Sequence, residues 1–265
     1  MSHVTRRKAI IGVTAAALVT AGLAVAMPAD AAQHHRPKPT VVLVHGAFAD
    51  SSGWNGVVAR LREDGYPVRA AANPLRGIAS DAASVRSLVS TISGPVVLVG
   101  HSYGGAVISA AAAGNSNVKS LVYVAAFVPD AGESLGALGA TEVDHPIPPL
   151  TLDQVPTAGG TDLYIKPSAF RAEFAADVKA GTAADMAATQ RPLDAAAFAE
   201  PATVATWKTV PSWYLVAKQD KAIAPDLERF MAKRAGSHTT EINSSHAAMV
   251  SHPDAVTRII EAAAR

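Results

Sequence analysis

Three features of this sequence predict an α/β architecture built on a parallel sheet of about six strands. Short, unbroken runs of β-branched and apolar residues alternate with segments that carry an apolar residue every three to four positions. The runs are apolar throughout, as strands are when helices cover both faces of their sheet. The segments between them are long enough for the right-handed crossovers that join parallel neighbours.

Thr40-Val41-Val42-Leu43-Val44 reads as the first strand and ends in His45-Gly46-Ala47-Phe48. Ser51 or Ser52 is placed to cap a helix whose stripe is Trp54, Val57, Val58 and Leu61, with Gly65 as its stop. Tyr66 to Ala72 is a weaker strand closed by Asn73-Pro74. Ser80 or Asp81 caps the next helix, which carries Val85, Leu88, Val89 and Ile92. Pro95 to Val99 is the third strand, and Ala106 to Ala113 reads as a helix. Val118 to Phe127 is the fourth strand, ending at Pro129-Asp130.

The alternation then stops. Residues 131–209 contain Pro146-Ile147-Pro148-Pro149 and Ala-rich pieces at Ser168–Lys179, Thr182–Thr189 and Asp194–Ala199. They predict an insertion of short helices, without a strong strand, forming a lid over a pocket. The scheme resumes with a strand at Pro211–Ala217, a helix opened by Pro225, a short strand at Thr239–Ile242 and a closing helix at Pro253–Ala264.

The chain has 265 residues, 49% of them hydrophobic and 17% charged, which suits one domain with a substantial core at residues 40–265. A formal net charge of +1 gives no reason to expect a nucleic-acid partner. There are no cysteines, so disulfides and thiolate catalysis are excluded. Residues 1–31 read as an export signal: the basic Arg6-Arg7-Lys8, a mild Ala/Gly/Thr-rich run from Ala9 to Met27, and a small-x-small cleavage pattern at Ala29-Asp30-Ala31. The arginine pair suggests the twin-arginine route, with the Sec route open, and hence a secreted or extracytoplasmic protein. No stable membrane anchor is expected once the signal is removed. Residues 32–39 are polar and proline-bearing and read as a short tail.

The chemistry centres on Gly100-His101-Ser102-Tyr103-Gly104-Gly105, between a strand and a helix. This is the setting of a G-x-S-x-G elbow, in which a strained turn exposes the serine oxygen. A serine hydroxyl needs a base within reach, and the base needs an orienting carboxylate. Loops after parallel strands gather at one sheet edge. Ser102, Asp220 and His246 each follow an expected strand, so nucleophile, acid and base are assigned to them, with Asp130 as the alternative acid. Of the nine histidines, His45 and His101 are read as loop braces. The oxyanion donors are the N–H groups of Tyr103 and Ala47, or Phe48 if the loop is offset by one. Phe48 and Phe127, with lid residues, are expected to line an apolar substrate pocket.

These residues are similar to those of the α/β-hydrolase superfamily, over residues 40–265. The resemblance is strongest to the branch of small carboxylesterases, methyl-ester hydrolases and hydroxynitrile lyases. Val44-His45-Gly46-Ala47 resembles its oxyanion loop, Gly100 to Gly105 its elbow, and Asp220 with Ser245-His246 its acid and base. The resemblance implies an α/β-hydrolase fold and a six-stranded parallel core. It also implies hydrolysis of small carboxylic esters through an acyl-enzyme, with no metal and no organic cofactor. The lyases of that branch place a lysine after the catalytic histidine and a threonine where Gly46 stands; this chain has Ala247-Ala248-Met249 and Gly46. A lyase or C–C hydrolase, a ligand receptor with a vestigial triad, and a lipid-droplet lipase are the rival readings.

Overall fold

In the computed structural model, residues 1–3 and 37–265 are described. Most of the expected export signal and most of the tail fall on residues outside that set. Residues 37–265 form one compact unit. Its first half contains β1 (Thr40–Val44), α1 (Asn55–Glu63), β2 (Val68–Ala71), α2 (Ile78–Ser90), β3 (Val96–Ser102), α3 (Gly104–Ala112) and β4 (Val118–Ala126). The inserted segment contains α4 (Leu135–Gly139), β5 (Leu152–Thr157), β6 (Gly160–Ile165), α5 (Pro167–Glu173), α6 (Ala180–Thr189), β7 (Leu193–Asp194) and α7 (Ala196–Ala199). The chain closes with β8 (Ser212–Ala217), α8 (Pro225–Arg234), β9 (His238–Ile242), α9 (Ala248–Ser251) and α10 (Pro253–Ala263).

Six strands form one parallel sheet in the order β2-β1-β3-β4-β8-β9. The expected fold is therefore the observed one. The apolar runs explain it directly: alternate residues of each strand serve opposite faces. Val42, Val44, Leu98 and Tyr123 join the core under α2, α3 and α8. Val41, Leu43, Val97, Val99 and Val122 join the core under α1 and α10. Every residue of β3 is buried, and in β4 only Lys119 is exposed.

The inserted segment departs from the expectation of helices alone. β5, β6 and β7 form a small antiparallel sheet. β5 and β6 make a hairpin turned at Ala158-Gly159, with Thr157 paired to Gly160. The signal was hidden because β5 is almost wholly solvated and contains Pro156, which edge strands tolerate. The region expected as one helix over Ser168–Lys179 is helical only over α5, and the helix expected at Asp194–Ala199 begins at Ala196, after β7.

Helix capping also differs. The turn before α1 is capped by Asp50, whose carboxylate accepts the Ser52 N–H. The N-terminus of α2 is met from the insertion: Glu200 accepts the N–H groups of Ile78 at 2.6 Å and Ala79 at 2.9 Å. Those orphan donors and the positive end of the helix dipole explain why a carboxylate sits there. Further bonds fasten the insertion to the sheet domain. Arg76 reaches Asp162 at 2.6 Å and the Pro192 carbonyl at 2.9 Å, and Arg191 donates to the Asn73 carbonyl at 2.8 Å.

Candidate active site

The elbow is built by backbone strain at one residue. Ser102 ends β3 with φ of 53°, a left-handed value that a non-glycine residue adopts only when its surroundings hold it. Its neighbours supply the room. A Cβ at Gly100 would lie 2.5 Å from the Gly104 carbonyl oxygen, so only glycine lets β3 and α3 pass this closely. Beside Ser102, β4 carries an extra residue: His101 pairs with Val124 and Ser102 with Ala126. The skipped Ala125 has φ of 44°. Tyr214 pins this bulge, accepting the Ala126 N–H at 3.1 Å and donating to the Ala126 carbonyl at 2.5 Å.

Asp220 and His246 arrive on the loops after β8 and β9. The two loops are tied together: the Lys218 N–H donates to the Ile242 carbonyl and the Gln219 N–H to that of Ser244. His246 Nδ1 lies 2.5 Å from Asp220 Oδ2, and both side chains are buried. Oδ1 of Asp220 accepts the N–H groups of Ala222 at 2.6 Å and Ile223 at 2.9 Å. Nδ1 of His246 must therefore be the protonated donor, which leaves Nε2 available to accept. Ser102 and His246 line the same cavity of about 50 Å³, with Ala47, Phe48, Tyr103 and Phe127. Among the described residues the hydrogen bonds of His246 run from Nδ1 to Asp220 and to its carbonyl from His101, and neither reaches Ser102 Oγ. Such contacts commonly tighten only when substrate is present.

The alternative acid is accounted for elsewhere. Asp130 is ion-paired with Lys208 at 2.6 Å, and that bond holds its carboxyl below the usual value. Two of the other histidines act as braces, as expected. His45 Nε2 accepts the Asn73 N–H at 3.1 Å, while Nδ1 donates to the Gly46 carbonyl. His101 Nε2 donates to the His246 carbonyl at 3.0 Å. Burial holds both rings below the ordinary histidine value, His101 far below, so they remain neutral.

The donor question is narrowed by bonding. Phe48, at φ of 60°, gives its N–H to the Arg191 carbonyl at 3.0 Å. The amides of Ala47 and Tyr103 have no acceptor among the described residues. Gly46 brings this loop against the serine: a Cβ there would meet the Ser102 Cβ at 2.6 Å. Tyr103 is anchored at its far end, where its hydroxyl donates to the buried Asp81 at 2.8 Å.

Several site residues lie in the insertion and had no legible signal. Phe174 stands edge-on to His246 at a centroid distance of 4.8 Å, and its carbonyl accepts the Ala247 N–H. Asp177 takes the hydroxyl of Ser245, next to His246, and faces His252 Nε2 at 3.3 Å. Leu150, Leu193 and Phe198 line the small cavity. Beyond it opens an apolar chamber of about 400 Å³, which shares Phe127, Leu150, Phe198, Ala222 and Ile223 with the small one.

A parallel sheet with a strained serine after β3, a histidine–aspartate pair at the same edge and a cap over an apolar cavity defines a class of hydrolase. The sequence profile of the alpha/beta hydrolase family matches residues 41–259, and the chain belongs to that family. An alpha/beta hydrolase of Aspergillus novofumigatus is 29% identical over 258 residues, covering 86% of this chain and 97% of its own. A carbendazim hydrolyzing esterase of a Nocardioides species is 34% identical over 110 residues, 37% of this chain and 46% of its own. Among solved structures, polyneuridine aldehyde esterase superposes with a TM-score of 0.72 at 18% identity, covering 85% of this chain and 98% of that one. A pyrethroid hydrolase of Sphingobium faniae does so with a TM-score of 0.72 at 21% identity, covering 85% and 97%. Among the described residues no helix is long and apolar enough to cross a membrane.

Proposed function

We propose that this hydrolase is an exported serine carboxylesterase acting on small, uncharged carboxylic esters. The observation that carries the reading is the His246–Asp220 hydrogen bond beside a cavity that Ser102 also lines. Ser102 Oγ attacks the ester carbonyl while His246 Nε2 takes its proton. Asp220 holds the ring in the Nδ1–H tautomer and offsets the imidazolium charge. The Ala47 and Tyr103 amides receive the tetrahedral oxyanion. His246 then returns the proton to the leaving alcohol, the C–O bond breaks, and water, deprotonated by the same ring, releases the acid from Ser102.

The lining supports the substrate class, because the two cavities are walled by aliphatic and aromatic side chains. Relatives named a carbendazim hydrolyzing esterase and a polyneuridine aldehyde esterase support the bond class. A lyase of the related kind is not favoured. Gly46 has no space for a threonine side chain beside Ser102, and Ala247, Ala248 and Met249, all buried, stand where its lysine would follow the histidine.

Ser102→Ala is expected to abolish hydrolysis of a short p-nitrophenyl ester and labelling by a fluorophosphonate, with the circular dichroism spectrum unchanged. Retained turnover rejects the reading. Absence of labelling in wild type favours a receptor. Export is tested by mass spectrometry of the protein from the medium, where the expected N-terminus lies near Ala32.

A further inference from the structure

Glu228 is a carboxyl group that packing alone does not explain. It lies in α8 and has no exposed surface. Its Oε2 accepts the Ala217 N–H at 3.1 Å, while Oε1 is buried with no hydrogen-bond partner. An ionised carboxylate in that setting is strongly disfavoured, and the protonated acid is the cheaper state.

Its surroundings point the same way. Burial first, and the neighbouring Asp220 carboxylate second, push the Glu228 carboxyl well above the ordinary carboxylate range. Glu228 and Asp220 hang on one residue: Ala217 gives its N–H to Glu228, and its carbonyl accepts the Asp220 N–H at 3.0 Å. From β8, Tyr214 also faces the pair; burial keeps its phenol protonated, as it does that of Tyr123 on β4. Arg229, next along α8, is turned outward to Asp226 and Glu241. No cation among the described residues is ion-paired with Glu228. Asp220 has capacity for one more donor, since three N–H groups already bind it and an ionised carboxylate has about four acceptor sites.

We propose that Glu228 is a positioning residue for Asp220: as a protonated acid it directs its Oε1 hydroxyl at the Asp220 carboxylate and shares that proton in a hydrogen bond. This rests on the serine-hydrolase reading above. The bond draws charge from Asp220 and so weakens that carboxylate's hold on an imidazolium at His246. It also keeps two buried like charges from forming side by side.

The test is the pH profile of kcat/KM for a short ester, measured on the exported enzyme and its Glu228→Gln, Glu228→Ala and Glu228→Leu variants. The amide of Gln still donates, so that variant keeps the wild-type acid limb. Ala and Leu move the acid limb upward by about one pH unit, the size of one hydrogen bond to a charged group. Loss of packing alone lowers activity at every pH without moving the limb, and that result overturns the proposal. Should Ala and Leu fail to fold, the infrared carbonyl band of a buried protonated carboxyl decides. It is expected in wild type at neutral pH and absent from Glu228→Gln; its absence from wild type overturns the proposal. Ser102→Ala, run alongside, reports separately on the serine-hydrolase reading.

Discussion

Ser102 owes its place on the cavity wall to a backbone angle that its own side chain disfavours, and its neighbours hold that angle. Gly46 is the tightest of them. Gly46→Ala places a methyl group against the Ser102 Cβ, where neither backbone segment has room to yield. The expected result is about 1–3 kcal/mol of destabilisation, read by urea denaturation, together with loss of esterase activity from displacement of the Ala47 amide. Asp220→Asn leaves packing intact but presents an N–H to His246 in place of an acceptor. It is expected to lower kcat by roughly 10³–10⁴, the size seen when a triad histidine is held in the wrong tautomer. Glu228 makes a different prediction, about stability. A carboxyl whose folded value lies above its unfolded value binds a proton on folding. Its contribution is complete below the unfolded value, about 4.3, and is lost as pH climbs toward the folded value. Glu228→Gln removes that loss. The variant therefore gains on wild type as pH rises from about 4 to neutrality, by up to roughly 1.4 kcal/mol per pH unit. Denaturation at two pH values checks this, and an equal difference at both contradicts a neutral Glu228.

At the scale of elements, the four inner strands β1, β3, β4 and β8 were legible because each is covered on both sides and so carries no polar alternation to blur it, while the edge strands β2 and β9 carry exposed residues and read more weakly. β1 runs over the residues expected, and β3 continues through the elbow to Ser102 because the ladder with β4 persists past the last valine. Asp220 and His246 were legible for the same reason: position after a parallel strand fixes the edge at which a side chain emerges. The insertion was not legible. Its strands are short, solvated on most sides and paired mainly with each other, so their residues answer to long-range docking rather than local pattern. Phe174, which packs on His246, lies in a stretch whose periodicity continues as a helix in sequence but ends at Glu173 in the fold. Glu228 was missed because a lone glutamate on an amphipathic helix reads as solvated. Capping shows the same limit, since the carboxylate on α2 comes from more than a hundred residues away. Glu200→Ala should therefore cost about 1 kcal/mol through the two N–H groups it leaves without a partner. Because Glu200 belongs to the insertion, the loss should also appear as faster amide exchange across α7, which a cap from within α2 would not affect.

Across the whole molecule, the candidate catalytic side chains and the walls of the cavities come from different parts of the chain. The parallel sheet supplies Ser102, Asp220 and His246 at its carboxyl edge, while the insertion supplies much of the wall around the two cavities. The two compartments meet where Leu150 and Phe198 from the insertion face Phe127 after β4 and Ile223 in the Asp220 loop. The inner space, about 50 Å³, suits a small group held against the serine, and the outer chamber, about 400 Å³, suits a larger apolar one. Bulk added at the junction should then act on the large group alone. Leu150→Trp is expected to lower kcat/KM for esters with a long or aromatic group by roughly tenfold or more, while short-chain esters keep most of theirs. Leu150 takes no part in the hydrogen bonds that hold Asp220 and His246, so the acid limb and fluorophosphonate labelling should be unchanged. A panel varied on the acyl and alcohol sides separately tells which group occupies the chamber. A uniform loss across the panel would mean that the outer space is not where substrate lies.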